Sequence, residues 1–267
     1  MGGQADSASF HKPAEAYDRF VGRYAPELAG ALVHWAGIGP GSRVLDVGCG
    51  PGALTAALAG AVEAGSVAAV DPSEPFARAC AERVPEADVR VASAERLPFE
   101  DRAFDATLSQ LVLNFLADAA AGLREMRRVT RPGGTVAAAV WDYAGEMTML
   151  RAFWDAAAEL DPEQARAADE GRRMPHCDPG ALARLWAGGG LADVATGAIV
   201  IAAAYEDFDE LWQPFTAGVG PAGAYCAALP AAGREALRTA YHRRLGSPAG
   251  PFELSARAWT VRGTVGP

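Results

Sequence analysis

Val44-Leu45-Asp46-Val47-Gly48-Cys49-Gly50-Pro51-Gly52 passes from an apolar stretch into a glycine-rich turn, and an alanine- and leucine-rich segment at 54–62 follows. A short apolar run bounded by glycines reads as a buried strand, and the segment after it as a helix. Glycines at such a strand-to-helix turn permit positive φ and let a ligand come close to the backbone. Taken literally, Gly48-x-Gly50-x-x-Ala53 fits the dinucleotide fingerprint, and Asp71 lies near the expected spacing of about 20 residues beyond it. Two residues oppose a diphosphate. Asp46, two positions ahead of the first glycine, is expected to turn a carboxylate toward the ligand and repel phosphates. Pro51 removes one N–H from a loop whose value to a phosphate lies in its N–H groups. A carboxylate at the mouth of the loop suits a ligand with an ammonium group instead.

Outward from the loop, strands and helices alternate. The patterns predict strands over 43–47, 67–70, 89–92, 104–109 and 136–141, and helices over 54–62, 74–83 and 118–129, with Ser73 as an N-cap. Arg131-Pro132-Gly133-Gly134 has the proline and glycine placement of a type II turn. Such alternation builds a doubly wound, mainly parallel sheet. Beyond Trp141 come helical stretches at 147–160 and 179–186, a strand at 194–203, a broken helical excursion from 207 to about 245, and a last strand at 252–261. Two strands joined by that excursion imply an antiparallel addition to the sheet with a helical cap. Ahead of the loop, Tyr17, Phe20, Tyr24, Leu28, Leu32 and Trp35 fall at helical spacing, with a break expected at Pro26. The expected organisation is an α/β fold with a seven-stranded sheet: an N-terminal helical segment (1–40), a ligand-binding core (41–145) and a C-terminal part (146–267) whose cap spans about 205–248.

Composition narrows the function. The chain has 267 residues, 50% hydrophobic and 21% charged, and its 24 Lys+Arg against 33 Asp+Glu give a net charge of −9. An acidic chain without a basic run longer than Arg127-Arg128 or Arg243-Arg244 argues against nucleic acid as partner. Lys12 is the one lysine, which removes the Gly-Lys-Ser/Thr phosphate loop and leaves little room for a Schiff-base lysine. Cys49, Cys80, Cys177 and Cys226 form no C-x-x-C pair, and residues 1–20 hold no apolar core. A reduced, cytoplasmic chain with no secretory signal and no membrane span is expected.

Three further segments follow the loop in order. Val70-Asp71-Pro72-Ser73 ends the second strand with an acid able to accept from both hydroxyls of a ribose. Ala92-Ser93-Ala94-Glu95-Arg96-Leu97-Pro98-Phe99 follows the third strand, and Arg131-Pro132-Gly133-Gly134 precedes the fifth. Together with Asp46-x-Gly48-x-Gly50-x-Gly52 these resemble a class I S-adenosylmethionine-dependent methyltransferase, of the branch that includes the ubiquinone/menaquinone-biosynthesis and small-molecule enzymes. The resemblance covers about 40–142. It implies S-adenosyl-L-methionine as cofactor, with its methionine part on the backbone of Gly48, Cys49 and Gly50, and Asp46 behind them. It implies Asp71 and Pro72 at the ribose, Ser93, Ala94 and Glu95 around the adenine, and Gln110 beside the sulfonium. Ser93 stands where related sequences carry an aspartate, and accepts more weakly.

Methyl transfer from a sulfonium is an in-line displacement of an activated donor, so positioning and exclusion of water do most of the work. No triad and no metal set is needed, and none is expected. His176, in Met174-Pro175-His176-Cys177-Asp178, is the best placed of the four histidines to act as a base, although a capping role on its loop competes with that reading. Asn114 falls where the family lines its acceptor pocket, and Trp141 and Tyr143 stand at a strand end where ligands of open sheets bind. Asp142 and Glu146 are weaker candidates. An aromatic-rich C-terminal half points to a small hydrophobic or aromatic acceptor. Two other readings stay open: a nicotinamide oxidoreductase, on the literal glycine match, and a non-catalytic cofactor-binding module, on the missing base.

Overall fold

Strands β1 (Val44–Val47) and β2 (Val67–Asp71) are buried along their whole length. Parallel strands covered on both faces have no solvent side toward which to alternate, which is why both read as unbroken apolar runs. The computed structural model describes residues 21–267. Tyr17, Phe20 and His11 therefore lie outside the described residues, as does the expected helix up to residue 20.

β1 pairs in parallel with β2 and with β4 (Phe104–Gln110); β2 also carries β3 (Asp88–Val91), and β4 carries β5 (Thr130–Trp141). With β6 (Leu191–Tyr205) and β7 (Phe252–Val265) the order is β3-β2-β1-β4-β5-β7-β6. The sheet is mostly parallel with one antiparallel hairpin, as the sequence predicts. Strand order reverses between β1 and β4, and at such a switch point the connections diverge and leave a crevice at the carboxyl ends of the strands. The glycine loop leaves β1 there.

Helices α1 (Ala25–Trp35), α2 (Ala53–Ala61), α3 (Glu74–Arg83) and α4 (Ala119–Val129) precede β5. Between β5 and β6 run α5 (Thr148–Leu160), α6 (Pro162–Ala168), α7 (Glu170–Arg173) and α8 (Pro179–Gly188). Between β6 and β7 run α9 (Phe208–Thr216), α10 (Gly220–Ala228) and α11 (Ala231–Arg244). Local details differ from expectation in three places. The break expected at Pro26 takes the form of a helix start: a 3-10 turn over Val21–Tyr24 gives way to α1, whose first turn holds Pro26, where N–H groups have no intrahelical acceptor. Ser73 makes no side-chain cap on α3; its N–H instead goes to the Asp71 carboxylate at 2.8 Å. Arg131–Gly134 lies within β5 and not ahead of it, where pairing jumps from Phe104↔Thr130 to Ala106↔Thr135, while Gly133 takes φ +78°, the positive value that the expected type II turn needs at its third position.

The chain divides into two compact units. The larger comprises Ala25–Val140, Pro175–Ile199 and Ala258–Pro267. Its core joins Leu45, Val47, Leu123, Met126, Val136 and Trp186, with the Trp186 indole N–H donating to the Val136 carbonyl at 3.0 Å. Asp118 caps α4 by accepting from Ala121 N–H at 2.9 Å, and Arg127 and Arg128 sit in its last turn, where cations complement the helix dipole. The smaller unit takes in Trp141–Met174 and Val200–Arg257. Its centre is aromatic: Phe153 stacks on Phe215 with ring centroids 4.4 Å apart, and Trp154 and Tyr241 meet Phe153 edge-on. No helix among the described residues is long and apolar enough to cross a membrane.

Candidate functional site

Two glycines of the loop are there because nothing else fits. Gly48 takes φ +77°, and a Cβ on it would collide with the Val112 side chain. Gly52 takes φ +92°, and its Cβ would meet Cys80 Sγ at 3.0 Å. The loop's N–H groups are all engaged within the protein. Gly48 and Cys49 both donate to the Val70 carbonyl, at 2.8 and 2.9 Å, and Gly52 donates to the Cys49 carbonyl at 2.9 Å. Gly50 donates to Asp71 Oδ2 at 2.9 Å, and Pro51 has no N–H to give. A diphosphate held by a glycine loop needs free N–H donors. This loop has none to offer between Gly48 and Gly52.

Asp46 is not at the mouth of the loop. It is 0% exposed, and its Oδ2 accepts from the Thr55 hydroxyl of α2 at 2.7 Å, while Oδ1 has no partner. Burial pushes its carboxyl up to about 8, against a smaller pull down from Thr55, so at neutral pH it is mostly protonated. Repulsion by a charged Asp46 is therefore absent; what counts against a diphosphate is that the N–H groups of Gly48, Cys49, Gly50 and Gly52 are already engaged. Behind it, Cys80 Sγ donates to Thr55 Oγ1 at 3.3 Å. The Cys80 thiol and burial together hold the Cys49 thiol above its ordinary range, and Cys49 is buried beneath the loop's surface.

Asp71 ends β2, 7% exposed, with Oδ1 on Ser73 N–H and Oδ2 on Gly50 N–H. Burial raises its pKa, and those two hydrogen bonds oppose the rise. A carboxylate has about four lone-pair sites, so two remain for a vicinal diol. Pro72 beside it is exposed. After β3, Ser93 is exposed and Ala94 buried; the Ser93 hydroxyl donates to Glu95, whose other oxygen takes the Ala117 N–H at 3.1 Å. The Glu95 side chain thus ties this segment to the chain ahead of α4. Desolvation raises its pKa, but the sum of its hydrogen bonds lowers it overall.

Gln110, at the end of β4, donates from Nε2 to the Ala25 carbonyl at 3.1 Å, and its Oε1 is buried without a partner. Leu111 then turns the chain at φ +66°, rare for a residue with a Cβ, and Val112 lies over Gly48. Asn114, 8% exposed, takes the His176 N–H on Oδ1 at 3.0 Å and reaches Cys177 Sγ from Nδ2 at 3.5 Å. Two candidates 62 residues apart are thereby brought together. His34 is exposed on α1, and His242 bonds the Pro248 carbonyl in the smaller unit.

Residues 45–138 match the family model described as a methyltransferase domain. The chain is 35% identical over 179 residues to the demethylmenaquinone methyltransferase of Mycolicibacterium paratuberculosis, a match covering 61% of this chain and 75% of that one. It belongs to the class I S-adenosylmethionine-dependent methyltransferases. Its cofactor is S-adenosyl-L-methionine. Among solved structures, the methyltransferase resembles a putative type II methyltransferase from Anaeromyxobacter dehalogenans (TM-score 0.62, 22% identity, 89% of this chain and 97% of that chain). It also resembles a Haemonchus contortus N-methyltransferase solved with phosphomonomethylethanolamine and S-adenosylhomocysteine (TM-score 0.57, 15% identity, 95% and 57% of the two chains). The first curated relatives are matched over only 29% to 44% of their length.

The remaining candidates in this methyltransferase lie in the smaller unit. Trp141 is buried edge-on against Tyr24, centroids 5.8 Å apart, with its indole N–H unpartnered. Tyr143 is buried too, and its carbonyl accepts from Arg151 at 3.1 Å. Asp142 and Glu146 both pair with Arg257, at 2.6 and 3.0 Å, and Asp142 also takes the N–H groups of Gly145 and Glu146. Both carboxylates hold the chain after β5 in place. Sequence reasoning missed Val112 over the loop, Thr55 under it, and the Val70 carbonyl that engages two of its N–H groups. No residue type at these positions signals the role, because each acts through a contact made in the folded chain.

Proposed function

We propose that this chain moves the methyl group of S-adenosylmethionine to a small hydrophobic or aromatic molecule. The observation that carries the reading is the glycine loop with no N–H to spare beside a carboxylate, Asp71, that keeps half its lone pairs. Such a site favours a nucleoside without phosphates, bearing a charged amine. When bound, the cofactor supplies a methyl on a sulfonium, already activated toward displacement. Asp71 would take the ribose hydroxyls, with Pro72 beside them. Gly48, Cys49 and Gly50 would offer carbonyls to the ammonium of the methionine part, with the neutral Asp46 bracing the loop from below. Ser93, Ala94 and Glu95 would frame the adenine, and Gln110 would turn its unpartnered carbonyl oxygen to the sulfonium, a favourable dipole for a cation. On this reading 41–145 holds the cofactor, while 146–267, with the helices of 205–248, governs the acceptor.

A menaquinone-type relative supports an aromatic acceptor, and the net charge of −9 supports a small molecule over a nucleic acid. Four buried, unpaired cysteines fit a reducing, cytoplasmic setting. Calorimetry with S-adenosylhomocysteine and with NAD tests the proposal. Binding of the first alone is expected; binding of NAD alone would refute it.

A further inference from the structure

The neighbouring strands β5, β7 and β6 line an open cavity of about 250 Å³ with Thr135, Asp193, Arg262 and Thr264, all of the larger unit. Alternation along β7 fixes its face. A Cβ on Gly263 would meet Leu191 and Trp186 of the core, so Arg262 and Thr264, on either side of it, project from the opposite face. There the Arg262 guanidinium lies 5.2 Å from the centre of the Trp35 ring and donates from Nη1 to the Trp35 carbonyl at 2.8 Å. That carbonyl ends α1, where the last turn has no N–H of its own to meet it. One nitrogen of Arg262 thus caps a helix. The rest of its fork makes no ion pair and no other hydrogen bond among the described residues. Asp193, held at φ +49°, makes neither. The cavity therefore presents a cation and an anion that do not pair with one another.

We propose that this cavity binds a free α-amino acid as its zwitterion, with the carboxylate on the Arg262 fork and the ammonium on Asp193. A bare anion would meet the Asp193 carboxylate on a chain whose net charge is −9, and a bare amine would meet the guanidinium. A zwitterion satisfies both groups and is neutral as a whole. Guanidinium and carboxylate make paired, charge-assisted hydrogen bonds, and the Thr135 and Thr264 hydroxyls can donate or accept beside them. The volume falls just below the usual range for small-molecule sites, about 300–1,000 Å³, which suits a single amino acid and not a nucleotide. The site is separate from the cofactor's. Thr135 pairs with Ala106 in the first half of β4, whereas the glycine loop stands at the carboxyl ends of the strands. Amino acid and cofactor should thus occupy the protein together, whatever the methyl acceptor is.

Saturation-transfer NMR of the common L-amino acids with the intact chain, with and without excess S-adenosylhomocysteine, tests this, followed by calorimetry on the strongest binder. At least one should bind with a Kd of about 1 mM or tighter in both conditions. The same molecule lacking its ammonium, or lacking its carboxylate, should bind about 10-fold or more weakly. Asp193→Asn removes the charge, suits the same backbone conformation and leaves the Arg262 cap on α1 in place. Arg262→Gln removes the other charge and keeps a donor for the Trp35 carbonyl. Each should weaken the amino acid by about 10-fold or more and leave S-adenosylhomocysteine binding within about twofold of wild type. No amino acid binding at that strength, equal binding of the singly charged analogues, wild-type binding by Asp193→Asn, or binding only when S-adenosylhomocysteine is left out each overturns the inference.

Discussion

Replacing Asp71 with alanine separates a structural carboxylate from a ligand-binding one. The side chain is 7% exposed and accepts from the N–H groups of Gly50 and Ser73, so its loss leaves two enclosed donors without partners. That should cost about 1–3 kcal/mol of stability, read in a urea titration. If Asp71 also takes two ribose hydroxyls, S-adenosylhomocysteine binding should weaken by about 1.5–3 kcal/mol, roughly 10- to 150-fold in Kd. Calorimetry well below the melting temperature reads the second effect apart from the first. Adenosine, which carries the ribose, should lose a similar factor, and methionine should not. Asp71→Asn keeps one acceptor oxygen and should fall between wild type and alanine. A folded Asp71→Ala protein that binds S-adenosylhomocysteine within about twofold of wild type would refute the ribose assignment, whatever its stability.

Gly48→Ala faces both the positive φ and the Val112 side chain, so a loss of about 1–3 kcal/mol and impaired cofactor binding are expected; Val112→Ala in the same chain should recover only the steric part. Asp46 is raised from 3.8 to about 8, so between those values the folded state holds a proton that the unfolded state has released. Stability should therefore fall as pH rises through that window, by up to about 1.4 kcal/mol per unit, and Asp46→Asn should flatten the slope in denaturant titrations across pH. An unchanged slope would show that Asp46 is not the group responsible. Leu123→Ala, at a fully buried position of α4, should cost about 2–5 kcal/mol and leave the Kd for S-adenosylhomocysteine unmoved.

Much of the frame is legible because it is periodic. The two fully buried strands β1 and β2 show as apolar runs, α3 is bounded as its sequence predicts, and Asp118 stands where α4 is capped. Asp46 is the instructive miss. The sequence shows a carboxylate two residues ahead of a glycine, and chemistry alone suggests that it greets the ligand. In the fold its side chain meets Thr55 beneath the loop, and burial neutralises it. What counts against a diphosphate instead is that carbonyl and carboxylate acceptors on β2 engage the N–H groups of Gly48, Cys49 and Gly50.

From the chain of residues alone follow the alternation of strands and helices, the glycine turn, and the acid that ends β2, because these depend on neighbours a few positions away. Only the folded molecule decides which way Asp46 faces, that Val112 closes on Gly48, and that Asn114 holds His176. Asn114 and His176 stand 62 residues apart, and such contacts exist only once the sheet has brought the segments together.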